Sequence, residues 1–191
     1  MDMTLKELQP TAIWHYFSEI CTIPRPSKKE EQVIAYLQKF GKEHGLETVV
    51  DAAGNVLIRK SATAGYENHP TIIMQAHMDM VCEKNSDTVH NFETDPIQPY
   101  IDGEWVKARG TTLGADNGIG MAAQLAVLSA DNLKHGPLEC LFTVDEETGL
   151  TGAFALDKNL LTGSMLINLD SEDDGEFFIG CAGGIDTTVV F

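Results

Sequence analysis

Apolar positions along this chain follow two rhythms, one helical and one of short unbroken runs. Ile13, Trp14, Phe17 and Ile20 recur at helical spacing, so residues 10–22 are predicted to form a helix with one apolar face. Ile23-Pro24-Arg25-Pro26 must be extended, because a residue before proline avoids the helical region. Ser27 followed by Glu30 has the spacing of a capping box. It precedes a second helix marked by Val33, Ile34, Leu37 and Phe40, with Gly45 as its stop. Segments 47–51 and 55–60 flank Ala-Ala-Gly and read as a hairpin.

Beyond residue 70 the apolar runs shorten. TIIMQA at 71–76 predicts a buried strand. Asp95-Pro96 and Gln98-Pro99 mark turns, and Asp102-Gly103 leads into a strand at 105–109. Residues 117–130, rich in Ala, Met and Leu, predict a helix. Segment 138–144 reads as a buried strand, 151–156 as a short helix, and 165–169 as a third buried strand. Segments 177–179 and 186–191 read as further strands. Strands alternating with helices predict an α/β fold, a mixed, largely parallel sheet with helices on both faces. The run Val189-Val190-Phe191 reads as mid-strand. A domain rarely stops on an uncapped apolar strand, so residues 1–191 are expected to be the front part of a longer protein.

The 191 residues suffice for one domain with a real core. The opening stretch MDMTLKELQPTAIWHYF contains acidic residues and no long apolar run, unlike a secretory signal. No segment approaches the roughly 18 unbroken apolar residues of a membrane helix, so no membrane partner is expected. The four cysteines are scattered without a C-x-x-C pair, which argues against a cysteine zinc site and fits a reducing cytoplasm. A formal net charge of −16 argues against nucleic acid as a partner, because phosphate binding needs a basic stripe.

The candidate chemistry sits where apolar runs end. TIIMQA runs into His77-Met78-Asp79, LECLFTV into Asp145-Glu146-Glu147, and MLINL into Asp170. In an open α/β sheet the carboxyl ends of parallel strands share one edge, where ligands bind. A fourth element, Gly114-Ala115-Asp116-Asn117-Gly118-Ile119-Gly120, opens a helix with glycines that permit tight backbone beside a ligand. Alone, each piece has an ordinary reading: a surface histidine, a solvated Glu-Glu pair, a helix-capping Asp, an exposed acidic turn. Together they offer one imidazole and several carboxylates, a donor set that suits zinc and equally manganese or cobalt. Two metals sharing a carboxylate could clamp water and a substrate oxygen. Glu146-Glu147 could then supply one ligand and one base, and Asp79 could orient the imidazole of His77. The glycine-rich segment lacks the Lys-Ser or Lys-Thr of a phosphate loop.

QAHMDMV, TDPIQPYIDGEWVKARGTTLGADNGIGMA, DEETG, INLDSED and GCAGGID together resemble the aminoacyl-histidine dipeptidase (peptidase D) family. That family lies within the dinuclear-zinc metallopeptidases that also contain carboxypeptidase G and acetylornithine deacetylase. The resemblance implies a zinc-aminopeptidase-like catalytic domain of which these residues are the N-terminal part. It further implies cytoplasmic hydrolysis of small peptide substrates, dipeptides with a C-terminal histidine including carnosine-like ones. By position, His77 and Asp170 would hold one zinc, Asp116 would bridge two, and Glu147 would hold the second. Glu146 would be the general base and Asp79 would orient His77. The family also places a cis peptide just after this Asp. A further histidine ligand and an inserted lid that makes the full-length protein a homodimer lie outside these residues. Another amide substrate, a tripeptide or N-acyl amino acid, and a catalytically incomplete metal-binding fragment remain open alternatives.

Overall fold

Two helices with one apolar face each begin the chain. The computed structural model describes residues 4–190 apart from Lys158, Glu172, Asp174, Ala182, Ile185 and Asp186. After a 3-10 turn at Leu5–Glu7, α1 (Thr11–Ile20) buries Phe17 and Ile20, and α2 (Glu31–Glu43) buries Val33, Leu37 and Phe40. Gly45 beyond α2 has φ 65°, the left-handed stop that its position predicted. The start of α2 differs from expectation. Its N-cap is Glu30, with no side-chain cap; Ser27 and Glu30 bind residues far along the chain instead, as described below.

Five strands form the main sheet: β1 (Glu47–Val50), β2 (Val56–Lys60), β3 (Ile72–His77), β6 (Leu138–Thr143) and β7 (Met165–Asn168). The strands β4 (Pro99–Asp102) and β5 (Trp105–Ala108) make a separate antiparallel pair. The main sheet has the order β1-β2-β6-β3-β7. β2 pairs antiparallel to β1 and β6, while β3 pairs parallel to β6 and β7. Only β2 therefore runs against the rest, a mixed and largely parallel sheet. α3 (Ala115–Ser129) and the single turn α4 (Thr151–Phe154) complete the elements.

Alternation along the strands divides the core. Val56, Ile58, Ala76, Cys140 and Phe142 face one side and pack with Phe17, Leu37, Met121 and Leu125 of α1, α2 and α3. Leu57, Ile73 and Leu141 face the other side, against Leu156, Leu160 and Leu161 after α4. Asn55, fully buried, pins the β1–β2 turn to the end of β6. It donates to Asp51 Oδ2 (2.8 Å) and the Gly152 carbonyl (2.9 Å) and accepts the Val144 amide (3.1 Å).

The expected strand at 177–179 does not form; these residues are irregular and exposed. A strand needs a hydrogen-bonded neighbour, and the segment has none among the described residues. Residues 187–190 are likewise irregular. Asp186 and Phe191, the ends of the other expected strand, lie outside the described residues.

Candidate metal centre

Three parallel strands deliver side chains to one sheet edge. β3 ends on His77, opposite Thr143 of β6. β6 continues through Val144 into Asp145-Glu146-Glu147, and β7 through Leu169 into Asp170. Asp116 enters from the start of α3, where the helix is interrupted: Asp116 has φ −81° and ψ 114°, and the Asp116–Asn117 peptide is cis. Gly114 just before it has φ 68°, a conformation strained for any residue with a Cβ.

His77 is the hub. Its Nε2 lies 2.9 Å from Asp116 Oδ1 and 3.6 Å from Asp170 Oδ1. Its Nδ1 faces Asp79, 3.3 Å from Oδ1 and 3.1 Å from the carbonyl. Donor atoms of His77, Asp116 and Asp170 all lie within 4.8 Å of one another, as do those of His77, Glu146 and Glu147. The structure thus gathers all six residues singled out in the sequence. It groups Glu147 with His77 and Glu146, so both clusters pivot on one imidazole.

Asp79 organises the loop that carries both glutamates. Its Oδ1 accepts the Glu146 amide (3.0 Å), and its Oδ2 accepts the Glu147 amide (3.1 Å) and the Ser27 hydroxyl (2.7 Å). The capping-box reading of Ser27 is therefore replaced by a contact across 52 residues. Glu30 does similar work next door. Its Oε1 accepts the amides of Lys28 and Asp145, each at 3.0 Å. Asp145 itself, at φ 50°, accepts the hydroxyls of Thr148 and Thr151.

Sequence reasoning missed Arg25. This buried guanidinium donates from Nη1 to the carbonyls of Met78 (2.9 Å) and Asp79 (2.8 Å), and from Nη2 to the Gly114 carbonyl (2.5 Å). Its one local signal is the flanking Pro24 and Pro26, which stiffen the backbone without indicating what the side chain reaches. Asn117, also buried, donates to Asp170 Oδ1.

The electrostatics are those of crowded carboxylates around one base. Burial disfavours charge on His77, but Asp79, Asp170 and Asp116 outweigh it and lift the imidazole to about 9. Burial also opposes charge on Asp79, yet His77, the two glutamate amides and Ser27 hold its carboxyl at about 2. Burial, reinforced by Asp116 and Glu146, pushes Asp170 up to about 6 despite His77. Glu147 is raised by burial and then by Asp116. Such a set, one imidazole nitrogen and several carboxylate oxygens converging on one point, fits a divalent cation with mixed N and O ligation.

Residues 73–186 match the family described as Peptidase family M20/M25/M40. The chain is 59% identical over 184 residues to the cytosol non-specific dipeptidase of Escherichia coli, covering 96% of this chain and 38% of that protein. The chain thus spans 38% of the length of this curated relative. The crystal structure of the aminoacylhistidine dipeptidase from Vibrio alginolyticus superposes with a TM-score of 0.92 at 54% identity, covering 94% of this chain and 36% of that one. Aminopeptidase PepT from Bacillus cereus superposes at 0.72 with 28% identity, over 85% of this chain and 43% of that one. With the matched residues holding all of β3 but its first residue, all of β4 through β7, and with them His77, Asp116, Glu146, Glu147 and Asp170, the chain belongs to peptidase family M20/M25/M40.

Proposed function

We propose that this chain is the metal-binding part of a cytoplasmic dipeptidase that hydrolyses small peptides, aminoacyl-histidine dipeptides among them. The observation that carries the reading is the convergence of His77 with Asp116, Asp170, Glu146 and Glu147 at one strand edge. The names of the Escherichia coli and Vibrio alginolyticus relatives support the substrate class.

In this reading His77, Asp116, Asp170 and Glu147 would hold the cations, His77 and Asp170 serving one and Glu147 the other, with Asp116 between them. Zinc would suit these ligands, and so would manganese or cobalt. A bound pair supplies Lewis acidity towards water and the scissile carbonyl. The protein's own part lies in placing the base. Glu146 takes a proton from the attacking water and passes it to the leaving amine. Asp79 fixes Glu146 and Glu147 through their amides and keeps His77 oriented with Nε2 towards Asp116 and Asp170. The full-length protein is read as a homodimer, with substrate contacts made by residues beyond these 191.

The test is metal analysis and turnover of the full-length protein. About two equivalents of zinc with cleavage of aminoacyl-histidine dipeptides is the expected result. Cleavage confined to tripeptides or N-acyl amino acids would replace the substrate assignment, and a metal-free protein with full activity would overturn the reading.

A further inference from the structure

We propose that Arg25 is a positioning residue of the metal centre, setting the separation between His77 and Asp116. The inference rests on the metal reading above and concerns a residue outside the ligand set.

Arg25 joins two backbone segments that supply different ligands. Nη1 holds the carbonyls of Met78 and Asp79, the two residues immediately after His77. Nη2 holds the carbonyl of Gly114, two residues before Asp116. A planar guanidinium directs its donors in a fixed fork. The end of β3 and the entry to α3 are therefore tied at one spacing, the spacing that leaves His77 Nε2 2.9 Å from Asp116 Oδ1. The segment bearing Arg25 is itself anchored, since Pro24 and Pro26 restrict it and Pro26 forms a parallel bridge with Met80.

The glycines of the α3 entry are shaped to this side chain. A Cβ at Gly114 would stand 2.4 Å from Arg25 Nη2, and one at Gly118 would stand 2.8 Å from it. The φ of Gly114 already favours glycine. Gly118 has no such backbone demand; space for Arg25, and for Phe17 at 3.2 Å, accounts for it. A buried cation is a poor way to gain stability alone, so its placement on the backbones of two ligands points to geometry as its purpose.

The test uses the full-length protein stripped of metal. Arg25→Met, Arg25→Lys and Gly118→Ala are compared with Leu37→Ala, a core truncation away from the centre. Zinc affinity is read by chelator competition, site geometry by the Co2+ absorption spectrum, and stability by melting of the metal-free protein. Arg25→Met is expected to weaken zinc binding about 10–100-fold and to shift the cobalt spectrum. Arg25→Lys should recover only part, because a single ammonium lacks the planar fork. Gly118→Ala should move affinity in the same direction by a smaller factor, and it carries the test if Arg25→Met does not fold. Leu37→Ala should lower the melting temperature and leave zinc affinity as in the wild type. Wild-type affinity and spectrum in both Arg25→Met and Gly118→Ala would overturn the inference alone. So would affinity loss that simply tracks melting temperature across all four variants. A wild-type protein that binds no metal would overturn the metal reading and this inference with it.

Discussion

The two sides of the candidate metal centre are built differently. The inner side, at the ends of β3 and β6, is sealed: His77, Asp79 and Arg25 are each no more than 2% exposed. Arg25 donates three hydrogen bonds to backbone carbonyls, the Asp79 carboxylate accepts three, and both ring nitrogens of His77 have a partner. The outer side stands on β7, whose four residues are all exposed. There Asp170 is held by contacts rather than burial. Asn117 donates to its carboxylate, its amide donates to Asn168 Oδ1, and Asn168 donates to Gln75 Oε1 at 2.6 Å. Preorganisation thus follows the core: the proposed ligands on interior strands are held in place by the protein itself, while the proposed outer ligand, Asp170, depends on a short relay of amides.

The largest expected effect tests whether the inner side separates base from ligand. Asp79 grips Glu146 through its backbone amide, so the side chain can be removed without disturbing the loop. Glu146→Ala in the full-length enzyme should lower turnover about 10²–10⁴-fold with metal content retained. Loss of metal together with turnover would make Glu146 a ligand. Next in size is the core beneath. Phe142 is fully buried in the core cluster that also holds Phe17 and residues of α3, and Phe142→Ala should destabilise this chain by about 3–5 kcal/mol in denaturant unfolding.

The same contrast explains what could be read from sequence. The inner strands announce themselves as apolar runs that end in His or acidic residues, because strand and ligand are adjacent in the chain. Convergence of His77, Glu146, Glu147 and Asp170 then follows from parallel topology alone. The supports of those ligands are not legible. Ser27 and Glu30 match a capping box by local spacing, but Asp79 and Asp145 compete for them from 52 and 115 residues away. Arg25 is similarly opaque, since three carbonyls carry no side-chain signature. The strand expected at 177–179 failed for a related reason: apolar residues suggest a strand, but pairing needs a partner that composition does not reveal.

Asp79 is the sharpest single test of the inner side. Asp79→Asn keeps shape but places an NH2 group where an acceptor meets Glu147 or Ser27. Metal affinity should fall about 10–100-fold, measured by chelator competition; an unchanged affinity would mean that burial alone orients His77. The pH dependence comes next. If His77 and Asp170 hold the cation as proposed, it would have to displace the proton from His77, whose imidazole is held at about 9, and below about 6 also from Asp170. Affinity should therefore rise with pH, about tenfold per unit between 6 and 9, and more steeply below 6. Calorimetry in buffers of different ionisation enthalpy should record about one proton released per first metal near pH 7.5. No release would place the His77 pKa near its ordinary value.

The smallest effect belongs to the outer edge, and it bears most directly on the contrast. Leu166 is 51% exposed and lines the cleft that also touches Leu141, Leu156, Glu146 and Asp170. Its neighbours along β7 are similarly open, so truncation removes few packed atoms and leaves no enclosed cavity. Leu166→Ala should cost this chain about 0.5–1 kcal/mol, far below the cost at Phe142. For a domain of this size that is a fall of about 2–4 °C at most in Tm. A penalty equal to that of Phe142→Ala would mean that β7 is packed as tightly as β3 and β6. Asp170 would then be as preorganised as His77, and the division between a fixed and a dependent side would collapse.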